Sequence, residues 1–308
     1  MNQKPNCSKC KSNREVVKYG FRKTEIGKKQ TYFCKYCNYK FTPEDGFRRM
    51  RFAPEIITAA LDLYYKGLSL RKIEDHLYQF HGVKVSNVAI LKWIRKYAKL
   101  LKQGTEKLKP EIIGNIHADE SFIRRKENWR ENGNGSEGFD ARFFYFWDAI
   151  DDVTRFIWAF LSKARDLDSA KKLFKGIKYY GGYPPALIHD RLWEYDSAFN
   201  KYFYRKSENV KIERWMDKSL NNPIERFQGT IKERTKVMRG LTVFESSEEV
   251  LEGFVVYYNF IRRHVALKGR TPAEEAGIEL ELGRNRWLSL ISFYFSFRFF
   301  SLMRIGIS

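Results

Sequence analysis

The sequence lacks an internal repeat, an apolar leader and any long uninterrupted hydrophobic run. With no repeat to follow, organisation has to be read from composition, and 308 residues predict about two or three folding units. Residues 1–11 are polar and basic with no apolar segment, which argues against secretion and makes a reducing cytoplasm the expected setting. The one strongly apolar stretch, 287–307, is interrupted by Arg298 and Arg304 and makes a poor membrane span, so no membrane partner is expected. Cysteine is scarce: all four lie in the first 37 residues and are expected as thiols rather than disulfides.

Acidic residues are also in short supply, 37 against 57 Lys and Arg, for a net charge of +20. Hydrophobic residues at 43% and aromatics at 16% exclude a disordered basic tail. The surplus is uneven, with +16 of it in residues 1–110. Such a charge attracts phosphates through counterion release, and it marks the N-terminal end as the docking end for a polyanion, nucleic acid in preference to a membrane surface.

Composition divides the chain into a cysteine module at 1–45, a helical region at 52–102, a mixed α/β region at 112–280 and a hydrophobic tail of unassigned role at 281–308. In the first, Cys7-x2-Cys10 and Cys34-x2-Cys37 are separated by 23 residues. Two thiolate pairs on tight knuckles suit a tetrahedral structural zinc ribbon, with Zn2+ replacing a core too small to fold alone. Two disulfides or four unrelated thiols are the bland alternative. In the second, Pro54 opens a helix stopped by Gly67, Ser69 caps another, and Ser86 caps a third after a turn at Gly82. This pattern reads as a helix-turn-helix, whose last helix would bring Ser86, Asn87, Ala89, Lys92 and the basic face around Arg95 to DNA bases or phosphates. A plain three-helix bundle with a solvated basic face is the alternative.

From Asn115 the chain reads as three strands in sequence, near 116–122, 142–150 and 155–161. A helix near 168–179 follows, then a Gly/Pro breaker and a short buried strand ending at Asp190. One intervening helix implies a mixed sheet. Asp119 and Asp190 lie at or near strand ends, and Glu225 falls on a helix opened by Asn222 and Pro223. Three converging carboxylates with oxygen-only ligation suit two Mg2+ (or Mn2+) ions, the arrangement that phosphoryl transfer on DNA requires. Lys232, two turns beyond Glu225 on one helix face, is placed to hold DNA.

Asp119, Asp190 and Glu225, with 34 residues between the last two and a Lys seven after the Glu, resemble the DDE transposases and retroviral integrases. The stretch from Tyr257 to His264 followed by Gly269 to Glu274 is similar to the C-terminal motif of insertion-sequence transposases of family six. The resemblance, over about 112–280, implies an RNase H-like five-stranded sheet with flanking helices. It also implies Mg2+-dependent nicking at element ends and transfer of the freed 3′-hydroxyl into target DNA. The partners it implies are double-stranded DNA, as terminal inverted repeats and target, and a second copy of the chain in a homodimer or larger synaptic complex. A nucleoid-associated cytoplasmic protein follows. Where the family commonly has a small residue after the second Asp, this chain has Arg191, which could grip a phosphate.

Competing readings stand beside these. Glu225 could be a capping-box acid, and Glu120 could replace Asp119 as ligand. Because adjacent strand residues point to opposite faces, only one of those two is expected to face the ions, and Asp119 is preferred. Asp148, Asp151 and Asp152 look like turn acids, and His117 and His189 like packed histidines. Arg262 and Arg263 are candidates for DNA contact or a solvated helix end. The rival overall functions are a zinc-dependent DNA-binding regulator with an inactive nuclease-like domain and, more weakly, a purely hydrolytic nuclease.

Overall fold

The computed structural model describes residues 4–24, 27–43, 45–125, 143–212, 222–238 and 241–304, and the chain divides into Met1–Ala60 with Leu282–Ser308, and Leu61–Glu281. The first unit contains a three-stranded antiparallel sheet, β1 (Val16–Thr24), β2 (Gly27–Cys34) and β3 (Tyr39–Phe41), in that order. Its buried cluster joins Cys7 and Cys34 to Val16 and Phe41, with Cys10, Cys37 and Tyr32 against it. So few apolar groups cannot offset the entropy of ordering the segment, which is why the cysteines matter to its fold.

Helix α1 (Pro54–Tyr65) follows. The hydrophobic tail begins a long helix whose Trp287, Leu290 and Ile291 are buried. It also passes close to Gly46, where a Cβ would lie 2.6 Å from the Ile291 Cγ2, so a larger residue there would displace the helix. Among the described residues no helix is long and apolar enough to cross a membrane.

In the second unit, α2 (Leu70–His81) is capped by the Ser69 hydroxyl and ended by Gly82 in the left-handed region at φ 64°, and α3 (Asn87–Thr105) is capped by Ser86. Both caps sit where the sequence predicts them. The buried stripe of α3 is Ile90, Trp93, Ile94, Tyr97, Ala98 and Leu101, while Val88 is exposed. The stripe meets α7 (Phe244–Val256), where a Cβ on Gly253 would lie 1.9 Å from the Tyr65 hydroxyl and 2.7 Å from the Ala98 Cβ. Only glycine allows this approach.

The sheet of this unit runs β6 (Ile157–Ser162), β5 (Phe143–Asp151), β4 (Ile116–Arg124), β7 (Ala186–His189), β8 (Glu208–Lys211). β4 pairs antiparallel with β5 and β5 with β6, whereas β7 runs parallel to both β4 and β8. Hairpins make the antiparallel half, and crossovers through α4 (Leu167–Tyr180) and α5 (Trp193–Tyr202) make the parallel half. This is the mixed RNase H-like sheet that the resemblance implies. β5 is almost wholly buried, so its aromatic density is sheet core, not a stacking platform.

After the sheet come α6 (Asn222–Lys236), α7, a wider π-type turn at Tyr257–Ile261 and a short α8 (Pro272–Glu275) with a Thr271–Glu274 capping box. Asn259 in the π-type turn is 2% exposed. Its side chain accepts from the Ile157 N–H at 3.0 Å and donates to the Ile157 C=O at 2.9 Å, closing the free edge of β6.

Candidate active site

The pairing of β4 with β7 builds the site. Ala118 is level with His189, so the next residues, Asp119 and Asp190, emerge side by side where β7 ends. One carboxylate oxygen each from Asp119, Asp190 and Glu120 lie within 4.8 Å of one another. Asp190 is braced by the Leu192 N–H, which donates to its Oδ1 at 3.0 Å. Burial, with Glu120 and Asp190 nearby, pushes the Asp119 carboxyl up to about 6. Crowded, half-desolvated carboxylates are a hard-oxygen donor set whose repulsion a divalent cation would relieve, so these residues fit Mg2+ or Mn2+.

Glu120 belongs to the acid cluster despite strand alternation, contrary to the expectation that only one of the adjacent acids would face it. Its charge is already compensated: Arg165 pairs with it through Nε at 2.8 Å and through Nη2, and the Tyr195 hydroxyl donates to Oε2 at 3.0 Å. Glu120 is therefore a supporting acid, paired with Arg165.

Glu225 is not in the cluster; it is exposed in the first turn of α6. Gln228, one turn further on the same helix face, reaches the acids instead. Its Nε2 donates to Asp119 Oδ2 at 3.0 Å and is 3.4 Å from Asp148 Oδ1. Glu225 thus stands one turn from a residue touching Asp119, on neighbouring i and i+3 positions. Lys232 is exposed further along α6.

Asp148 is not a turn acid. It sits within β5 directly across from Asp119, fully buried, and its Oδ2 has no hydrogen-bond partner. Burial and the adjacent Asp119 hold its carboxyl well above the usual range. The available signal was an acid inside an otherwise apolar strand. Asp151 and Asp152 do serve the turn, accepting from the backbone N–H groups of Ile113, Gly114, Val153, Thr154 and Asn115.

A family model for the DDE domain of IS240-type transposases matches residues 138–264, a span that includes Asp190, Glu225 and Lys232. The chain is 27% identical over 236 residues to the Staphylococcus aureus transposase for insertion sequence element IS257 in transposon Tn4003, covering 76% of this chain and 98% of that one. The same figures hold for the transposase for insertion sequence-like element IS431mec of S. aureus Mu50. These matches make the chain similar to the DDE-type insertion-sequence transposases. Among solved structures, the HTLV-2 integrase catalytic core in complex with magnesium is 11% identical, with 55% of this chain and 98% of that chain covered at a TM-score of 0.38.

The other candidate residues are dispersed. Cys7, Cys10, Cys34 and Cys37 are free thiols whose sulfurs lie within 4.8 Å of one another, with Cys7–Cys37 and Cys10–Cys34 each at 3.5 Å. Thiolates at tetrahedral corners about 2.3 Å from zinc lie roughly 3.8 Å apart, so this set fits Zn2+.

Ser86 and Lys92 are exposed and Asn87 half-buried, whereas Arg95 is committed to Glu249 on α7 at 2.6 Å. Arg191 and Arg263 are exposed, and the Arg262 guanidinium lies 5.6 Å from the Tyr258 ring centroid. His117 faces Asp152 at 3.5 Å, while His189 bonds the Asp190 carbonyl and, at 2.8 Å, Asn209, so both are held in hydrogen bonds outside the acid cluster.

Proposed function

We propose that this protein is a transposase that nicks DNA at element ends and transfers the freed 3′-hydroxyl to target DNA, with Asp119, Asp190 and Glu225 as its metal-holding acids. The observation that carries this reading is the adjacency of Asp119, within β4, and Asp190, just past the end of the parallel strand β7, with oxygens within 4.8 Å. Two divalent cations, when bound, supply the positive charge that activates the attacking oxygen and stabilises the leaving one. Glu225 completes the set by reorienting its exposed side chain one helical turn from the Gln228–Asp119 contact. Lys232 holds a phosphate on the same helix, and Gln228 fixes the Asp119 carboxylate. Strand transfer forms one phosphorus–oxygen bond from the 3′-hydroxyl and breaks one in the target, so the count of phosphodiesters is conserved and no external energy source is needed.

The modules divide the work. Residues 1–45, with Zn2+ on the four cysteines, and the helix-turn-helix at 52–102, through Ser86, Asn87 and Lys92, bind the terminal inverted repeats. Residues 112–280 carry the chemistry, and Arg262 and Arg263 contact DNA beside it. Two ends must be brought together, which calls for a homodimer or larger synaptic complex. The family relationship and the net charge of +20 support DNA as the partner.

The test is incubation with Mg2+ and duplexes carrying element ends. Joined products are expected from the wild type and not from Asp190→Asn, which should still bind the duplex; undiminished joining by that variant rejects the assignment. The position of Glu225 outside the cluster favours a second reading, a zinc-dependent regulator with an inactive nuclease-like domain. It predicts site-specific binding without Mg2+-dependent cleavage in the same assay.

A further inference from the structure

Within the unit Leu61–Glu281 a cavity of about 800 Å3 opens among the first turns of three helices. Ser69, Arg71 and Lys72 come from the start of α2, Asn87 from the start of α3 and Ser246 from the start of α7, while Arg234 comes from the last turn of α6. Among the described residues no Asp or Glu lines the cavity. Backbone N–H groups at helix starts have no partners within their own helix and favour negative charge.

Arg234 is the decisive residue. It is 3% exposed, its guanidinium carbon lies 3.7 Å from the Tyr64 ring centroid, and its Nε and Nη1 have no hydrogen-bond partner. Among the described residues no carboxylate pairs with it, whereas Arg95 on the same wall is neutralised by Glu249. Burial pulls its pKa down, opposed only by Tyr64 and Tyr65. A buried cation without a counter-ion is costly, and an apolar side chain of similar volume would pack there at less expense. The exposed Arg71 and Lys72 add charge at the mouth.

We propose that this cavity binds a phosphodiester group of DNA, with Arg234 as the buried ligand and Arg71 and Lys72 at its rim. The choice of a diester over free phosphate rests on the DNA-binding reading given above: Asn87, a wall of the cavity, is also a proposed contact of the helix-turn-helix with duplex. A strand docked on the start of α3 therefore passes over the mouth. Because α6 also carries Glu225 and Gln228, a phosphate held at its far end seats the helix that the acid cluster depends on.

The experiment measures duplex affinity as a function of salt for the wild type, Arg234→Met and the double variant Arg71→Gln/Lys72→Gln, with melting temperatures in chloride and in inorganic phosphate at matched ionic strength. Arg234→Met is expected to melt no lower than the wild type in chloride. It should lose about tenfold in duplex affinity and flatten the salt slope by about one. The double variant, altered only at exposed positions, should flatten the slope by about two and covers the case in which Arg234→Met does not fold. Wild-type affinity and slope in either variant would overturn the cavity while leaving DNA binding intact. Absence of duplex binding by the wild type would remove the DNA-binding reading itself. A phosphate-dependent rise in melting temperature that requires Arg234, without duplex binding, would make the ligand free phosphate and overturn the diester.

Discussion

Gln228 on α6 donates to Asp119 on β4 across 3.0 Å, tying the helix that carries Glu225 to the strand that carries the first acid. Outer-shell partners of metal-holding carboxylates fix their orientation, and losing one typically lowers metal affinity or rate by about 10–100-fold. Gln228→Leu is therefore expected to weaken Mn2+ binding by that order in a calorimetric titration and to slow joining comparably. Wild-type affinity and rate in this variant would reduce the contact to a packing detail.

The raised Asp119 carboxyl has a signed consequence for stability. Held at about 6 in the folded protein, it lies above the ordinary aspartate range, so the folded protein binds the proton more tightly than the unfolded chain. Without metal, stability should fall as pH rises between roughly 4 and 6, by about 3 kcal/mol, and then level off. Asp148 adds a penalty of the same sign at higher pH. Asp119→Asn should abolish the pH 4–6 slope in urea denaturation and leave the metal-free protein more stable than wild type at pH 8. An unchanged slope would mean that Asp119 titrates normally.

Arg165 and Glu120 form the compensated part of the cluster, with side-chain exposures of 33% and 3%. Removing Arg165 leaves a buried carboxylate unmatched, which generally costs about 3–5 kcal/mol; the partial exposure of Arg165 puts the expected loss nearer 2. Arg165→Met should show this loss, and the double variant with Glu120→Gln should recover most of it. Equal stabilities for the single and double variants would show that the pair is not coupled.

Much of this architecture is legible before any coordinates. Ser69 and Ser86 cap α2 and α3 because a hydroxyl before an amphipathic run has few better uses. Asp119 and Asp190 meet because an acid within β4 and an acid just past β7 come level once those apolar strands pair in parallel. What escaped the sequence depends on register and side-chain length. Asp148 becomes a partner of Asp119 only when β5 pairs with β4 in one particular register, and a slip of one residue would turn it to the other face. Strand alternation argues against Glu120 joining the cluster, but alternation constrains Cβ atoms and not the oxygens three bonds beyond. Helical spacing places Glu225 and Gln228 on one face without saying which turn of α6 reaches the sheet.

The four thiols offer a direct test of the N-terminal unit. Cys34 is buried beside Val16 and Phe41 in a cluster too small to hold a sheet by apolar burial alone. One zinc ion per chain is expected by elemental analysis. Cys34→Ser should lose the metal together with the strand signal of this unit in circular dichroism, because metal-binding and folding free energy are linked. Full zinc content in that variant would remove Cys34 from the ligand set.

Asn259 poses the sharpest question about the segment that resembles other insertion-sequence transposases. Its amide satisfies both the N–H and the C=O of Ile157, 102 residues away on the edge strand β6, at 3.0 and 2.9 Å. Asn259→Ala would strand two buried backbone groups, each worth about 1–3 kcal/mol, so a loss of about 2–6 kcal/mol is expected in urea denaturation. Asn259→Leu should do no better despite its similar size, because it supplies volume and neither a donor nor an acceptor. Arg263→Ala, four residues on and exposed, should leave stability unchanged while weakening duplex binding. If Asn259→Leu were as stable as the wild type, packing and not hydrogen bonding would hold the turn against the sheet. Arg262 and Arg263 would then owe their position to the aromatic neighbours Tyr258 and Phe260 instead.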